Sequence, residues 1–187
     1  LFGVSIAAAT LPVFSKAWAE GQTGEAKSVL ERSLRQVFAI NGPAAAGLAF
    51  LSGPVIAIIY QYGAFHSVDT QATAAALLCY ALGLPFYSAV KVMVPVCYAV
   101  GAVRVAVISS VASVGVNIGL NLLLIESLGH LGLALGTSVT ALLNSLFVFS
   151  LLRRRIGLSA WGAVVSLLKY GSIAVGMGVS VFYLQEA

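Results

Sequence analysis

The chain alternates long apolar runs with short polar connections. Six runs can be marked, at roughly 1–15, 36–60, 71–99, 103–125, 131–152 and 161–184. Most exceed the roughly 20 residues that a helix needs to cross a bilayer core. Within each run the apolar residues are continuous, not alternating with period two, so the pattern predicts helices and not a barrel. The first run is short, as expected of a chain that begins within or just before a helix. It starts at Leu1 with no charged segment ahead of it, so it is no signal peptide. We expect the chain to be a piece of a longer protein.

The connections differ in character. "KAWAEGQTGEAKSVLERSLRQ" (16–36) is the one strongly polar stretch. Leu30, Leu34, Val37 and Phe38 recur there at helical spacing among charges, which predicts an amphipathic helix at the membrane interface. The stretches 61–70 and 126–132 read as glycine-containing turns, with Asp69 a candidate N-cap, and 153–159 as a basic link. If six helices alternate sides, Lys16, Lys27, Arg32, Arg35, Arg104 and Arg153 to Arg155 share one side. The opposite turns, 61–70 and 126–130, carry no Lys or Arg. This positive-inside pattern places the basic side in the cytoplasm. Only Lys91 and Lys169 lie within runs.

Composition agrees. Hydrophobic residues make up 60% of the chain and charged residues only 9%, against about 25% charged in a typical soluble domain. The net charge of +4 sits in the connections and forms no binding stripe, which argues against nucleic acid as a partner. Cys79 and Cys97 lie within apolar runs without a CxxC pattern, so they are expected to be packing residues. His66 with Asp69, and Glu126 with His130, are the only His/acid pairs; they sit at turns and offer no catalytic or metal-ligand geometry. With no nucleotide-binding or zinc-protease motif either, the expectation is a polytopic all-α membrane protein that is not an enzyme, with no catalytic residue, no metal site and no cofactor.

Polar residues inside the runs are the informative ones, because lipid penalises them unless they face protein or water. Tyr80, Tyr87, Lys91 and Tyr98 stand at offsets of 7, 11 and 18 residues, which puts them within about 20° of one another on a helix. Pro85 and Pro95 interrupt the same helix and are expected to bend it or loosen its hydrogen bonds. Two readings of Lys91 stand: it snorkels to the cytoplasmic headgroups, or it faces a cavity together with the tyrosines. Ser110, Ser113, Asn117 and Asn121 follow one face of the 103–125 run, and Thr137, Thr140 and Asn144 do so in the next. These stripes suit an interhelical hydrogen-bond network or, alternatively, an oxygen-rich cation site that lacks a carboxylate.

Four segments carry a family resemblance: "LFGVSIAAATLPVFSKAWAEG" with its charged link, "IIYQYGAF", "YALGLPFYSAVKVMVPVCYA" and "VNIGLNLLLIESLGHLGLALGTSVTALLN". In this order and spacing they resemble the MurJ (MviN) family of bacterial lipid II flippases over residues 1–155, and the last run does so loosely. The resemblance implies the fold of the multidrug/oligosaccharidyl-lipid/polysaccharide exporter superfamily, with two six-helix lobes and, in this family, two added C-terminal helices. Residues 1–155 would then be most of the second lobe, with the interfacial link 16–36, and residues 156–187 an additional transmembrane helix. The first lobe would be missing. The implied function is the movement of lipid II, the undecaprenyl-pyrophosphate-linked peptidoglycan precursor, across the cytoplasmic membrane by alternating access among membrane lipids. Sodium or the membrane potential would drive it.

The resemblance also assigns positions. The family's "VKV" lysine matches Lys91, which with Tyr80, Tyr87 and Tyr98 would line the substrate cavity. A "G-x-x-R" gating turn matches Gly101 and Arg104, but "GAVRVAV" here lacks the acid and proline of the family's Gly-Asp-Thr-Arg-Thr-Pro. A sodium site would fall on Asn117, Asn121, Thr137 and the Leu133 carbonyl; a carboxylate can occupy the Asn121 position in the family, and here it is an amide. The family's cavity arginines have no counterpart in this stretch. The competing readings are a related exporter of other polyprenyl-linked sugars, a cation-coupled drug exporter, and a membrane-embedded enzyme or scaffold.

Overall fold

The structure, a computed structural model, describes residues 2–158. Six helices follow one another: α1 (Phe2–Ala19), α2 (Thr23–Phe50), α3 (Ser52–Tyr60), α4 (Ser67–Ala99), α5 (Val103–Leu128) and α6 (His130–Ile156). Of these, α1, α4, α5 and α6 are long and apolar enough to cross a membrane, and α2 and α3 pass the same test only when taken together as a pair bent by 69°. The expected run at 161–184, with Lys169 and nearly all of the 156–187 segment, lies outside the described residues.

The polar stretch 16–36 is divided between two helices. Lys16 lies in the last turn of α1, a turn at Gly21 follows, and Thr23 begins a helix that continues without a break to Phe50. Its Glu25, Arg32 and Arg35 are exposed, while Ala26, Leu30, Leu34, Val37 and Phe38 are buried. The amphipathic pattern is therefore met by packing within the bundle. The 36–60 run breaks at Leu51, where α3 turns away from α2 by 69°. Pro54 has no N–H to give to the Phe50 carbonyl, so the α2 ladder stops there.

The expected N-cap at Asp69 is corrected: His66 is the N-cap of α4, and Asp69 lies in the first turn. Its carboxylate accepts the His66 backbone N–H at 2.9 Å, satisfying one of the donors that a helix start leaves free. The helix then runs unbroken through Pro85 and Pro95. The turn expected at 126–132 shrinks to the single residue Gly129, at φ +56°, between α5 and α6.

Central to the bundle is α4, which packs against α1, α2, α3 and α6 and touches α5. Large buried side chains gather at one end: Phe14, Leu30, Val37, Met93, Val96, Val148 and Leu152. The basic residues cluster toward that end too. The Lys27 ammonium lies 3.2 Å from where a Cβ on Gly157 would stand, so the start of α2 meets the end of α6. The alternation of sides inferred from charge is thus present in the helix packing.

Candidate functional site

The Tyr/Lys stripe is the open face of α4. Tyr80, Tyr87 and Tyr98 are 48%, 56% and 52% exposed, and Lys91 is exposed among them. The neighbouring helices define where this face looks. On one side Gly3 of α1 rests on Ser88, with a notional Cβ only 2.9 Å from Ser88 Cβ. On the other side the Ser138 hydroxyl of α6 donates to the Cys79 carbonyl at 2.6 Å, beside Gly83. Behind, Phe86 meets Phe38 of α2 edge-on, with ring centroids 6.1 Å apart. Ser88 stands about 80° to one side of the stripe and Gly83 about 60° to the other. The stripe therefore opens between α1 and α6, opposite α2.

Lys91 has no carboxylate partner among the described residues. Its ammonium lies 4.7 Å from the Tyr87 ring centroid, a cation–π contact. Helical side chains lean toward the N-terminus, and Tyr87 is one turn N-terminal, which on α4 means away from the basic end. The ammonium therefore lies beside the preceding turn of α4, on the side away from the basic end. Pro95, lacking an N–H, also leaves the Lys91 carbonyl without its helical donor four residues on. The site is an unpaired cation on an aromatic platform, able to meet an anionic group as a point charge.

Hydrogen bonds divide the residues expected to hold a cation. Asn121 donates to the Asn117 side-chain oxygen at 3.1 Å, and Asn117 reaches Thr140 across the α5–α6 interface at 3.4 Å. Thr137 is exposed and donates to its own Leu133 carbonyl at 2.8 Å. The expected interhelical network therefore exists, with Thr140 as its α6 member. The buried Asn121 Oδ1 and Asn144 Oδ1 have no partner, but no carboxylate joins them, and no cluster of three His, Cys, Asp or Glu occurs among the described residues. Asn117, Asn121, Leu133 and Thr137 thus offer a cation neutral oxygens only, and the Leu133 carbonyl already accepts from Thr137. Arg104 is exposed at the start of α5, just after Gly101 at φ +70°. It lies at the basic end and not with the stripe.

Small residues bring the helices into close approach. Gly83 against Ser138, Gly132 against the Leu124 backbone, and a 2.7 Å bond from Thr10 to Ser33 between α1 and α2 hold the helices together. The glycine spacing in "GHLGLALG" was the available signal for the α5–α6 contact.

Fold and stripe together define a class: a multi-pass α-helical membrane protein with a cation-bearing face turned away from its own core. The family model described as "Lipid II flippase MurJ" matches residues 1–187. A "Probable lipid II flippase MurJ" of Rickettsia prowazekii is 34% identical over 150 residues, covering 80% of this chain and 30% of that protein. A "Lipid II flippase MurJ" of Burkholderia cenocepacia is 32% identical over 155 residues, covering 83% and 30%. A solved structure titled "Lipid II flippase MurJ, inward closed conformation" superposes with a TM-score of 0.83 at 28% identity, covering 100% of this chain and 38% of that one. The chain belongs to the lipid II flippase MurJ family, and it spans about 30% of the length of these curated relatives.

Proposed function

We propose that this chain is the second-lobe portion of a flippase that carries lipid II across the bacterial cytoplasmic membrane by alternating access, and that it is not an enzyme. One observation carries the reading of the site: the Lys91 ammonium, without a carboxylate partner among the described residues, rests on Tyr87 in an exposed aromatic stripe that opens between α1 and α6. A lipid-facing lysine has no use for that arrangement. A lysine facing a second lobe across a cavity does, because a pyrophosphate needs a cation there and aromatic walls suit a sugar or peptide. Rocking of the lobes would expose the stripe to each side in turn, with the ligand's differential contacts setting the populations. Of sodium and the membrane potential, the potential suits this chain better, since the Asn/Thr set offers a cation no carboxylate.

The test is rescue of a bacterium depleted of its own flippase by the full-length parent gene, with membrane expression confirmed. Rescue is expected, and Lys91→Ala is expected to impair it more than Lys169→Ala does. Equal rescue by both variants removes Lys91 from the cavity. A parallel arm labels Lys91→Cys with a membrane-impermeant maleimide. Reaction is expected at position 91 and not at the buried Cys79 and Cys97. No reaction at 91 in any conformational state would mean that no water-filled cavity reaches it.

A further inference from the structure

We propose that α3 is an in-plane anchor, seated in the headgroup–acyl boundary of the outer leaflet, whose partner is the phospholipid surface itself. The bend is the first observation: α3 leaves the axis of α2 by 69°. Its nine residues would climb about 13 Å if they continued α2, but at this angle they climb only about 5 Å. Depth is the second. From Arg35, the last cation of α2, to Phe50 the helix rises about 22 Å. With a hydrocarbon core of about 30 Å, α3 then lies just below the outer boundary.

Chemistry is the third. No Asp, Glu, Lys or Arg occurs from Gln36 to Val68. Ser52 and Ile56 are buried, and α3 packs on α4. Its last turn leaves Ile58 71%, Ile59 57% and Tyr60 54% exposed, with Tyr62 71% exposed just beyond. The Tyr62 hydroxyl donates to the Ile58 carbonyl at 2.9 Å, and Tyr60 packs on Phe65 at 6.1 Å, so the aromatic end is tied to the helix. Isoleucines followed by two tyrosines, without charge and on a helix turned 69° from α2, match an apolar segment that ends in the aromatic belt of the bilayer interface. Water would leave the isoleucines unburied, and the hydrocarbon centre would not require the bend.

Spin labels at Phe50→Cys, Ile59→Cys and Tyr62→Cys in the full-length protein, reconstituted in phosphatidylglycerol/phosphatidylethanolamine nanodiscs, test this. Collisional relaxation by oxygen and by a neutral nickel chelate reports depth, with Ile118→Cys on α5 as the mid-bilayer reference. Positions 59 and 62 are expected to show both relaxants in comparable measure, and 50 and 59 to differ in depth by about 5 Å. A difference near 13 Å, or an oxygen-dominated signal at 59 like that at 118, would make α3 a straight continuation of the span. Nickel-dominated signals would put it in water. Exclusion of both relaxants would mean that protein covers it. Each of these results overturns the proposal, and position 62 repeats the test if a label at 59 disturbs folding.

Discussion

Adding one methyl group at Gly83 is expected to separate two helices. A Cβ there would stand 2.6 Å from the Ser138 hydroxyl oxygen and 2.9 Å from Ser138 Cα. The hydroxyl can rotate away, but the Cα belongs to the α6 backbone, so α4 and α6 must part. Overpacking of this kind costs about 1–3 kcal/mol. The bond from Ser138 to the Cys79 carbonyl, 2.6 Å long, is lost as the helices part, and a bond between membrane helices contributes about 0.6 kcal/mol. The sum for Gly83→Ala is about 1.6–3.6 kcal/mol. Reversible unfolding of the full-length protein by dodecyl sulfate in mixed micelles reads this directly. Gly115 of α5 is the control, because nothing lies within 4 Å of its notional Cβ. Gly115→Ala should stabilise by about 0.4–1 kcal/mol, since alanine restricts the unfolded chain and favours helix. Adding Ser138→Gly to Gly83→Ala removes the hydroxyl but not the backbone clash, so it should restore only part of the loss. Equal effects at positions 83 and 115 would refute the close-packing argument.

Three further outcomes follow from the polar contacts. A double-mutant cycle of Thr10→Val and Ser33→Ala should give a coupling of about 0.6 kcal/mol by the same unfolding assay, because their 2.7 Å bond ties α1 to α2; zero coupling would mean the bond is not formed in the membrane. Asp69→Ala should cost about 0.5–1.5 kcal/mol and speed hydrogen exchange in the first turn of α4, since the His66 N–H loses its acceptor; unchanged exchange there would contradict the capping box. Asn121→Asp should make thermal stability depend on sodium, by about 1.4 kcal/mol when sodium is near ten times its dissociation constant. The parent protein should show equal melting in sodium and choline chloride, and a sodium-dependent shift in the parent would show that the amide set binds the ion unaided.

What the sequence made legible was whatever depends on one helix at a time. Four of the runs became helices long and apolar enough to span because apolar length is a local property, and the basic residues fell at one end because charge at a helix end is local too. The stripe of Tyr80, Tyr87, Lys91 and Tyr98 could be drawn from spacing alone, and it is the open face of α4. What needed coordinates was anything that depends on two helices. The α6 partner of Asn117 is Thr140, although Thr137 stands on the same stripe, because register across the interface decides it. The direction of Lys91 along its helix was not legible either, since spacing gives a face and not a tilt. The bend at Leu51 had its signal in Gly53 and Pro54, but an apolar run with no charge masks a break.

The two ends of the bundle are built differently, and this bears on how such a lobe can move. Toward the basic end, Phe14, Leu30, Met93, Val96, Val148 and Leu152 interlock with almost no exposure. Toward the other end, contact is made by small residues: Gly83 on Ser138, Gly132 on Leu124 and Gly136 beside Asn121. Large interdigitated side chains resist sliding, because each displacement opens voids or clashes in a close-packed interior. Glycine contacts allow close approach but hold it by backbone proximity and few hydrogen bonds. A lobe built so is expected to rock as one body at its basic end, while any internal adjustment between α4, α5 and α6 falls at the opposite end. Hydrogen exchange on the full-length protein distinguishes the two ends, with slow exchange expected around Met93 and Leu152 in every conformational state and state-dependent exchange around Gly132 and Gly136. State-dependent exchange around Met93 would mean that the large-side-chain core itself rearranges, and that the lobe is not the rigid unit of transport.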